Sequence, residues 1–414
     1  MLDLIIKNGL YIDVLDSFKI KKYNIGIKNN EIVYIGNEFK LSKKVINANN
    51  HVILPGLINS HIHFGEYFVK GYPNKLSTYE YIKYTEGFNK DNKLLKEKIR
   101  KVSSLITVYE SLQYGITTFV GIRGWDVLED TGIRLYMGYP LMKSEKLKEY
   151  LDNAFNNIDS LKNNDTLNYY IFLHSLQWVD EDILTKLSEY YTKNKKIKLA
   201  LHVCECEDEI KEIKQKFNMT PIEVLEKYNL LTSNTLLVHC NYATDSDIDI
   251  IAKYKSSIAI CPNSNLKLKN RLPVVENFIN KKINVVIGTD GVATNDSLNL
   301  LDSCKTIGLF SNINEKELFK MITLNCSKYL EEKIGSIKLG NKADLLLYDL
   351  NNTKIINVEK LINNIIYSAD VKPSYVIING KIVIKKGKNV KISKYKLLKQ
   401  KQKLMNKLVF KDRR

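Results

Sequence analysis

At 414 residues the chain is longer than one ordinary domain, and its length suits a single large barrel with an accessory unit. Its 44% hydrophobic and 26% charged residues exclude a disordered protein, and no apolar run nears the ~20 residues that cross a bilayer. The formal charge of +17 invites a nucleic-acid partner, yet the excess is lysine scattered among Asn and Ile without clustered arginine, so none is expected.

The opening stretch, "MLDLIIKNGLYIDVLDS", has neither the basic start nor the small-residue cleavage site of a signal peptide. A cytoplasmic protein with no membrane contact is expected. Residues 2–58 read as short strands separated by turn residues, "LIIKNGLYI", "KYNIGIKNNEIVYIG" and "KVINANNHVILPG", which suit an antiparallel β unit. The texture then changes. Apolar strand-like runs ("GITTFVGI", "LNYYIFLHS", "IKLALHVCE", "NTLLVHCN", "SSIAICPNS", "INVVIGTDG") alternate with amphipathic helical segments at 90–114, 145–162, 180–193 and 207–227. Such alternation predicts a parallel (β/α)8 barrel, which typically takes ~250 residues. β texture returns in "GSIKLGNKADLLLYDL" and "SYVIINGKIVIKKGK", with Asn379-Gly380 as a hairpin turn.

The predicted architecture is therefore α/β: a TIM-like (β/α)8 barrel over 55–330, with a small β-sandwich built from both chain ends, 1–54 and 331–390. The last 24 residues, 391–414, hold ten Lys/Arg against one Asp. Leu397, Leu404 and Leu408 fall on one stripe there, which predicts a basic terminal helix with a solvated face.

Six cysteines, without a secretory signal, read as reduced thiols. Cys204 and Cys206 flank Glu205, but a C-x-C pair alone is a weak zinc signal and suits buried small side chains better. The six histidines are more informative. His51 precedes the barrel and reads as structural. His61 and His63 have the i, i+2 spacing that sends both side chains to one face of a strand. His202 and His239 each close an apolar run, and Asp290 closes "INVVIGTD" in the same way. Strand C-terminal ends form the mouth of a barrel, where barrel enzymes carry their chemistry. Imidazoles with one carboxylate suit Zn²⁺ or Fe²⁺ and suit Mg²⁺ or Ca²⁺ poorly. Glu205 lies three residues past His202, so the strand must turn after the histidine to bring this acid over the mouth. It is then either a proton shuttle or a solvated acid opening the next helix, and spacing weighs the two about equally.

With these pieces in place the sequence resembles the amidohydrolase superfamily, specifically its cytosolic aminohydrolases, the adenosine-derivative, guanine and triazine deaminases. The matching segments are "PGLINSHIH", "HVCE", "LVHCN", "CPNSNLKL", "GTDGVATNDSLNL" and "GSIKLGNKADLLLYDL", in family order over nearly the whole chain. It is similar to the one-metal subtype, because "YYIFLHSLQW" offers no lysine at the end of the fourth strand. The resemblance implies one divalent metal, zinc first and iron second, held by His61, His63, His202 and Asp290. It makes Glu205 the general acid/base and His239 the residue that orients the attacked group. It gives Asp290 a second part as acceptor of the proton passed to ammonia. The implied reaction is hydrolytic deamination of an aminated heteroaromatic ring (a purine, pterin or related nucleobase or nucleoside) by a metal-bound hydroxide.

Substrate residues are read more thinly. His174, in "LHSLQW", matches a substrate-facing histidine of adenosine-derivative deaminases. Lys70-Gly71 echoes an Arg-Gly of those enzymes, but their acidic and tryptophan positions are replaced, which argues against S-adenosylhomocysteine itself. Glu66 stands where guanine deaminases carry a ring-reading glutamine, so it reads either as a contact to an amine-rich heterocycle or as a surface acid. Arg123 and Trp125, just after "ITTFVGI", are expected to line the pocket. The expected partner is a small heterocycle, and a homo-oligomer is compatible with the sequence. Two alternatives stand beside deamination: a same-fold hydrolase taking chloride or alkylamine from a triazine-like ring or opening a cyclic amide, and an inactive barrel used as a binding module. Retention of all four metal ligands speaks against the second.

Overall fold

The computed structural model describes residues 1–71, 74–87, 93–122, 131–141, 155–156, 158–159 and 164–408. Eight parallel strands follow one another around a single sheet in sequence order. They are β1 (Leu57–His63), β2 (Ile116–Ile122), β3 (Arg134–Leu141), β4 (Leu167–Leu173), β5 (Leu199–Val203), β6 (Thr235–His239), β7 (Ser257–Ile260) and β8 (Val285–Ile287). Every residue of β2, β5, β6, β7 and β8 is buried. These strands are covered on both faces, which is why they read as unbroken apolar runs and not as alternating ones.

The sheet returns on itself at one seam. The Asp290 N–H donates to the His61 carbonyl at 3.0 Å. The Asn59 carboxamide accepts from Thr289 N–H at 3.1 Å and donates to Thr289 Oγ1 at 2.7 Å. Gly288 makes this approach possible, because a Cβ there would lie 2.9 Å from the His61 backbone nitrogen.

Amphipathic helices cover the barrel. In Glu181–Lys193 the buried residues Ile183, Leu184, Leu187 and Tyr191 fall at helical spacing. The segment read as one helix over 207–227 is two, Glu207–Phe217 and Pro221–Lys227. Asn218 ends the first in a left-handed conformation, and Thr220 with Glu223 forms a capping box that starts the second. The helix expected at 90–114 is seen as Lys93–Gln113, and most of 145–162 lies outside the described residues.

The chain ends build two further sheets. A four-stranded sheet uses Glu31–Gly36, Asn24–Lys28, Leu4–Lys7 and Val45–Asn47. A seven-stranded sheet takes Leu10–Asp13, Lys19–Lys22 and His51–Pro55 from one end, and Leu345–Asp349, Tyr375–Ile378, Lys381–Lys385 and Lys388–Asn389 from the other. The pairing is not purely antiparallel as read from the sequence: Leu4–Lys7 runs parallel to Val45–Asn47, and Leu10–Asp13 parallel to His51–Pro55. The expected Asn379-Gly380 turn is present, with φ of 47° and 70° at the two residues, the left-handed pair of a tight hairpin.

Alternation decides how this sheet is shared. Ile53, Leu345 and Leu347 face the core of the four-stranded sheet, while Val52, Leu54, Leu346 and Tyr348 join the barrel-side core. The terminal helix Lys394–Met405 lays Leu397 and Leu404, followed by Leu408, against Ile99, Val102 and Ile106 of Lys93–Gln113. Among the described residues, no helix is long and apolar enough to cross a membrane.

A buried ion pair ties barrel to sheet. Arg134 opens β3 and is 1% exposed; its Nε lies 3.2 Å from Asp344 Oδ2, and the carboxylate also accepts from Asn379 N–H at 2.8 Å. Asp344→Ala leaves this guanidinium buried without its counterion and is expected to cost about 3–5 kcal/mol of unfolding free energy. Denaturant titration measures it; a loss of ~1 kcal/mol or less, the range of an exposed pair, would remove the pair from this role.

Candidate metal and catalytic site

Four side chains, two on β1, one on β5 and one just past β8, converge at the mouth. The Nε2 atoms of His61 and His63 are 3.0 Å apart, and each lies 3.2 Å from His202 Nε2. Asp290 Oδ1 sits 3.5 Å from His61 Nε2 and 3.4 Å from His63 Nε2. All four ligand atoms fall within 4.8 Å of one another. Pairing of β1 with β2 shifts register between Asn59 and Ile62, a bulge that re-aims the strand where it carries His61.

This donor set fits a divalent cation. Donors held tetrahedrally at ~2.1 Å from one ion lie roughly 3.4 Å from each other. Each imidazole Nε2 offers either one hydrogen or one lone pair, so three such atoms in mutual contact must set like against like at one contact. Asp290 points to the same group. Its Oδ2 accepts from Ser264 Oγ at 2.5 Å and Thr294 Oγ1 at 3.2 Å, whereas Oδ1 is buried with no hydrogen-bond partner. Burial pushes His61 down to about 4, and drives His202 well below the usual histidine range. Burial acts to raise Asp290, but the neighbouring His63 charge and the proximity of His61 outweigh it and hold the carboxyl well below its ordinary value. Neutral imidazoles and an ionised carboxylate are the forms that coordinate metals.

The turn required after His202 is present. Cys204 adopts a left-handed conformation (φ 52°), and the buried Glu209 accepts from Cys204 N–H at 3.0 Å and Glu205 N–H at 2.7 Å. Glu205 is thereby swung back over the mouth, its Oε2 3.7 Å from His239 Nε2. Burial raises Glu205 above the ordinary carboxylate value, opposed by the charge of His239. Thr78 Oγ1 donates to Glu205 Oε1 at 3.4 Å and itself receives Asn270 Nδ2 at 3.0 Å.

His239 is oriented by a chain of amides. Asn241 Nδ2 donates to the Glu205 carbonyl at 3.0 Å, so its oxygen accepts from Asn265 Nδ2 at 2.7 Å. Asn265 Oδ1 is then turned to His239 Nδ1 at 2.8 Å, which must donate the hydrogen. His239 Nε2 is left facing Glu205. His239 itself has φ 81° and Asp290 φ 59°, both left-handed at non-glycine residues.

Of the remaining expected residues, His174 follows β4 and meets His202 edge-on with ring centroids 5.0 Å apart. On β4, Phe172 stacks on His61. Glu66 is 8% exposed and engages His63 Nδ1 at 3.2 Å. Arg123 and Trp125 lie outside the described residues. All six cysteines are free and buried, and neither Cys204 nor Cys206 joins the metal-ligating group. Sequence reading missed Ser264, Thr294, Asn241, Asn265, Glu209 and Thr78. The first four sit in segments already quoted as family motifs, so the signal was there without an assignment. Glu209 looked like one more surface acid.

The model of the amidohydrolase family matches residues 52–383. The chain is 30% identical to a 5-methylthioadenosine/S-adenosylhomocysteine deaminase of Caldicellulosiruptor saccharolyticus, over 96% of this chain and 97% of that one. It is 31% identical to a 5'-deoxyadenosine deaminase of Methanosphaera stadtmanae, over 91% and 93%. Its fold is that of an adenosine deaminase from Xanthomonas campestris solved with bound zinc, with a TM-score of 0.91, 18% identity and 98% of each chain covered. With a family match across most of its length, a barrel of eight parallel strands and a histidine–aspartate group at the mouth, the chain belongs to the amidohydrolase family.

Proposed function

We propose that this protein is a metal-dependent aminohydrolase that deaminates an aminated purine-like ring, of the adenosine type, with release of ammonia. The observation that carries the reading is the placement of Glu205: a half-buried carboxylate, raised above its ordinary value, beside a four-ligand group and 3.7 Å from His239. The names borne by the two relatives support the same ring class.

His61, His63, His202 and Asp290 would hold the ion, with zinc the first choice and iron the second. When bound, such an ion acidifies water and supplies a nucleophile at neutral pH. The chain's own groups do the rest. Glu205 takes a proton from the attacking water and hands it to a ring nitrogen, a transfer suited to a carboxyl whose affinity for protons is raised by burial. His239, with its Nδ1 hydrogen committed to Asn265, presents Nε2 to the same space, where it orients the attacking water and, once protonated, stabilises the charge that develops on oxygen. The two hydroxyls on Asp290 Oδ2 fix that carboxylate while leaving Oδ1 directed at the histidines, where it takes the second proton of the water and passes it to the amino group, which leaves as ammonia. His174, edge-on to His202, is assigned to the substrate side of the mouth.

Glu205→Gln keeps the shape and removes the shuttle, so kcat for an adenosine-type substrate should fall roughly 10²-fold or more with metal content unchanged. Near-normal turnover in this variant would take Glu205 out of the mechanism. Exhaustive dialysis against a chelator should abolish ammonia release, and stoichiometric Zn²⁺ should restore it. Turnover surviving complete metal removal would overturn the metal-dependent reading.

A further inference from the structure

Glu66 follows β1 by three residues, yet it does not stand as a free acid at the mouth. Its Oε1 lies 3.2 Å from His63 Nδ1, while Oε2 is buried with no hydrogen-bond partner. The carboxylate fills the room that a side chain at position 291 would take. A Cβ on Gly291 would come within 1.8 Å of Glu66 Oε2 and 2.8 Å of its Cδ. Gly291 directly follows Asp290, whose N–H is already bonded to the His61 carbonyl. Glu66 therefore reaches across the seam between β8 and β1, touching a metal-ligand histidine on one side and the residue next to a ligand aspartate on the other.

We propose that Glu66 is a positioning residue for the metal site, and that glycine at 291 is the clearance it needs. An acceptor at Nδ1 selects the tautomer in which His63 carries its hydrogen there. Its Nε2 lone pair is then left facing His61, His202 and Asp290. The contact also fixes the plane of the ring and makes the imidazole a stronger donor. A buried carboxylate oxygen with no donor is unusual in a folded protein; a dication held by the four side chains would give that charge its counterpart. The inference rests on the four-ligand reading and separates Glu66 from the task of reading the substrate ring, for which its position in the sequence is also suited.

Metal-free protein titrated with Zn²⁺ against a chromophoric chelator tests it. Glu66→Ala should weaken zinc binding by about 10–100-fold. Glu66→Gln, which keeps an oxygen for His63 Nδ1, should recover most of that loss. Gly291→Ala should weaken zinc binding in the same sense, because the new methyl displaces the carboxylate. Adding it to Glu66→Ala should cost little more, since the clash has gone. At saturating Zn²⁺, the ratio of kcat/KM values across a panel of aminated heterocycles should be unchanged in Glu66→Gln. Zinc affinity that does not respond to Glu66→Ala would overturn the proposal, as would a changed substrate ratio, which would make Glu66 a substrate contact. If instead His61→Ala binds zinc as tightly as the unsubstituted protein, the four-ligand reading itself has failed.

Discussion

The seam between β8 and β1 is the constraint on which the site depends. Two of the four converging groups stand on the first strand and one follows the last, so no metal site exists until these strands meet. Three hydrogen bonds among the described residues stitch the gap: Asp290 N–H to the His61 carbonyl and the reciprocal contacts of Asn59 with Thr289. Each sits within two residues of a side chain of the converging group. Closing the barrel and setting the site are thus one event, and Gly288 is fixed by the same geometry. Left-handed backbone at Asp290 and His239, costing of order 1–3 kcal/mol each, persists because the surrounding strands over-determine it.

Around that seam the electrostatics are arranged in layers. Nearest the centre, burial keeps His61 and His202 neutral while histidine neighbours keep Asp290 ionised. Next come uncharged partners, Ser264, Thr294, Asn241 and Asn265, that hold these groups without competing for protons. The surplus of lysine stays outside, on surfaces such as the solvated face of Lys394–Met405. Net charge therefore says little about the chemistry at the mouth.

The fold was legible because strands buried on both faces write themselves as apolar runs, and because His202, His239 and Asp290 each end such a run. What could not be read depended on contacts between distant residues. Arg134 and Asp344 are 210 positions apart, and neither sits in a pattern that names the other. Asn241 and Asn265 become an orienting chain only when β6 and the helix Pro262–Lys267 are side by side. The turn at Cys204 could be inferred as necessary from the spacing of His202 and Glu205, but its agent, Glu209, was hidden among neighbouring acids on one helix. For Glu66 the sequence offered position without direction, and direction decides what a carboxylate does.

The seven-stranded sheet has a consequence for how the molecule comes into being. His51–Pro55 is separated from β1 by Gly56 alone, and one of its edges is covered by Leu345–Asp349. A nascent chain emerging from a ribosome presents that edge, apolar on both faces, long before its partner is made. The element that leads into the strand carrying His61 and His63 has its Leu10–Asp13 neighbour early, but its Leu345–Asp349 partner follows only about 290 residues later. Long-range pairing of this kind is slow and exposes the waiting strand to mispairing. The converging group is subject to the same wait, since Asp290 is made about 230 residues after His61.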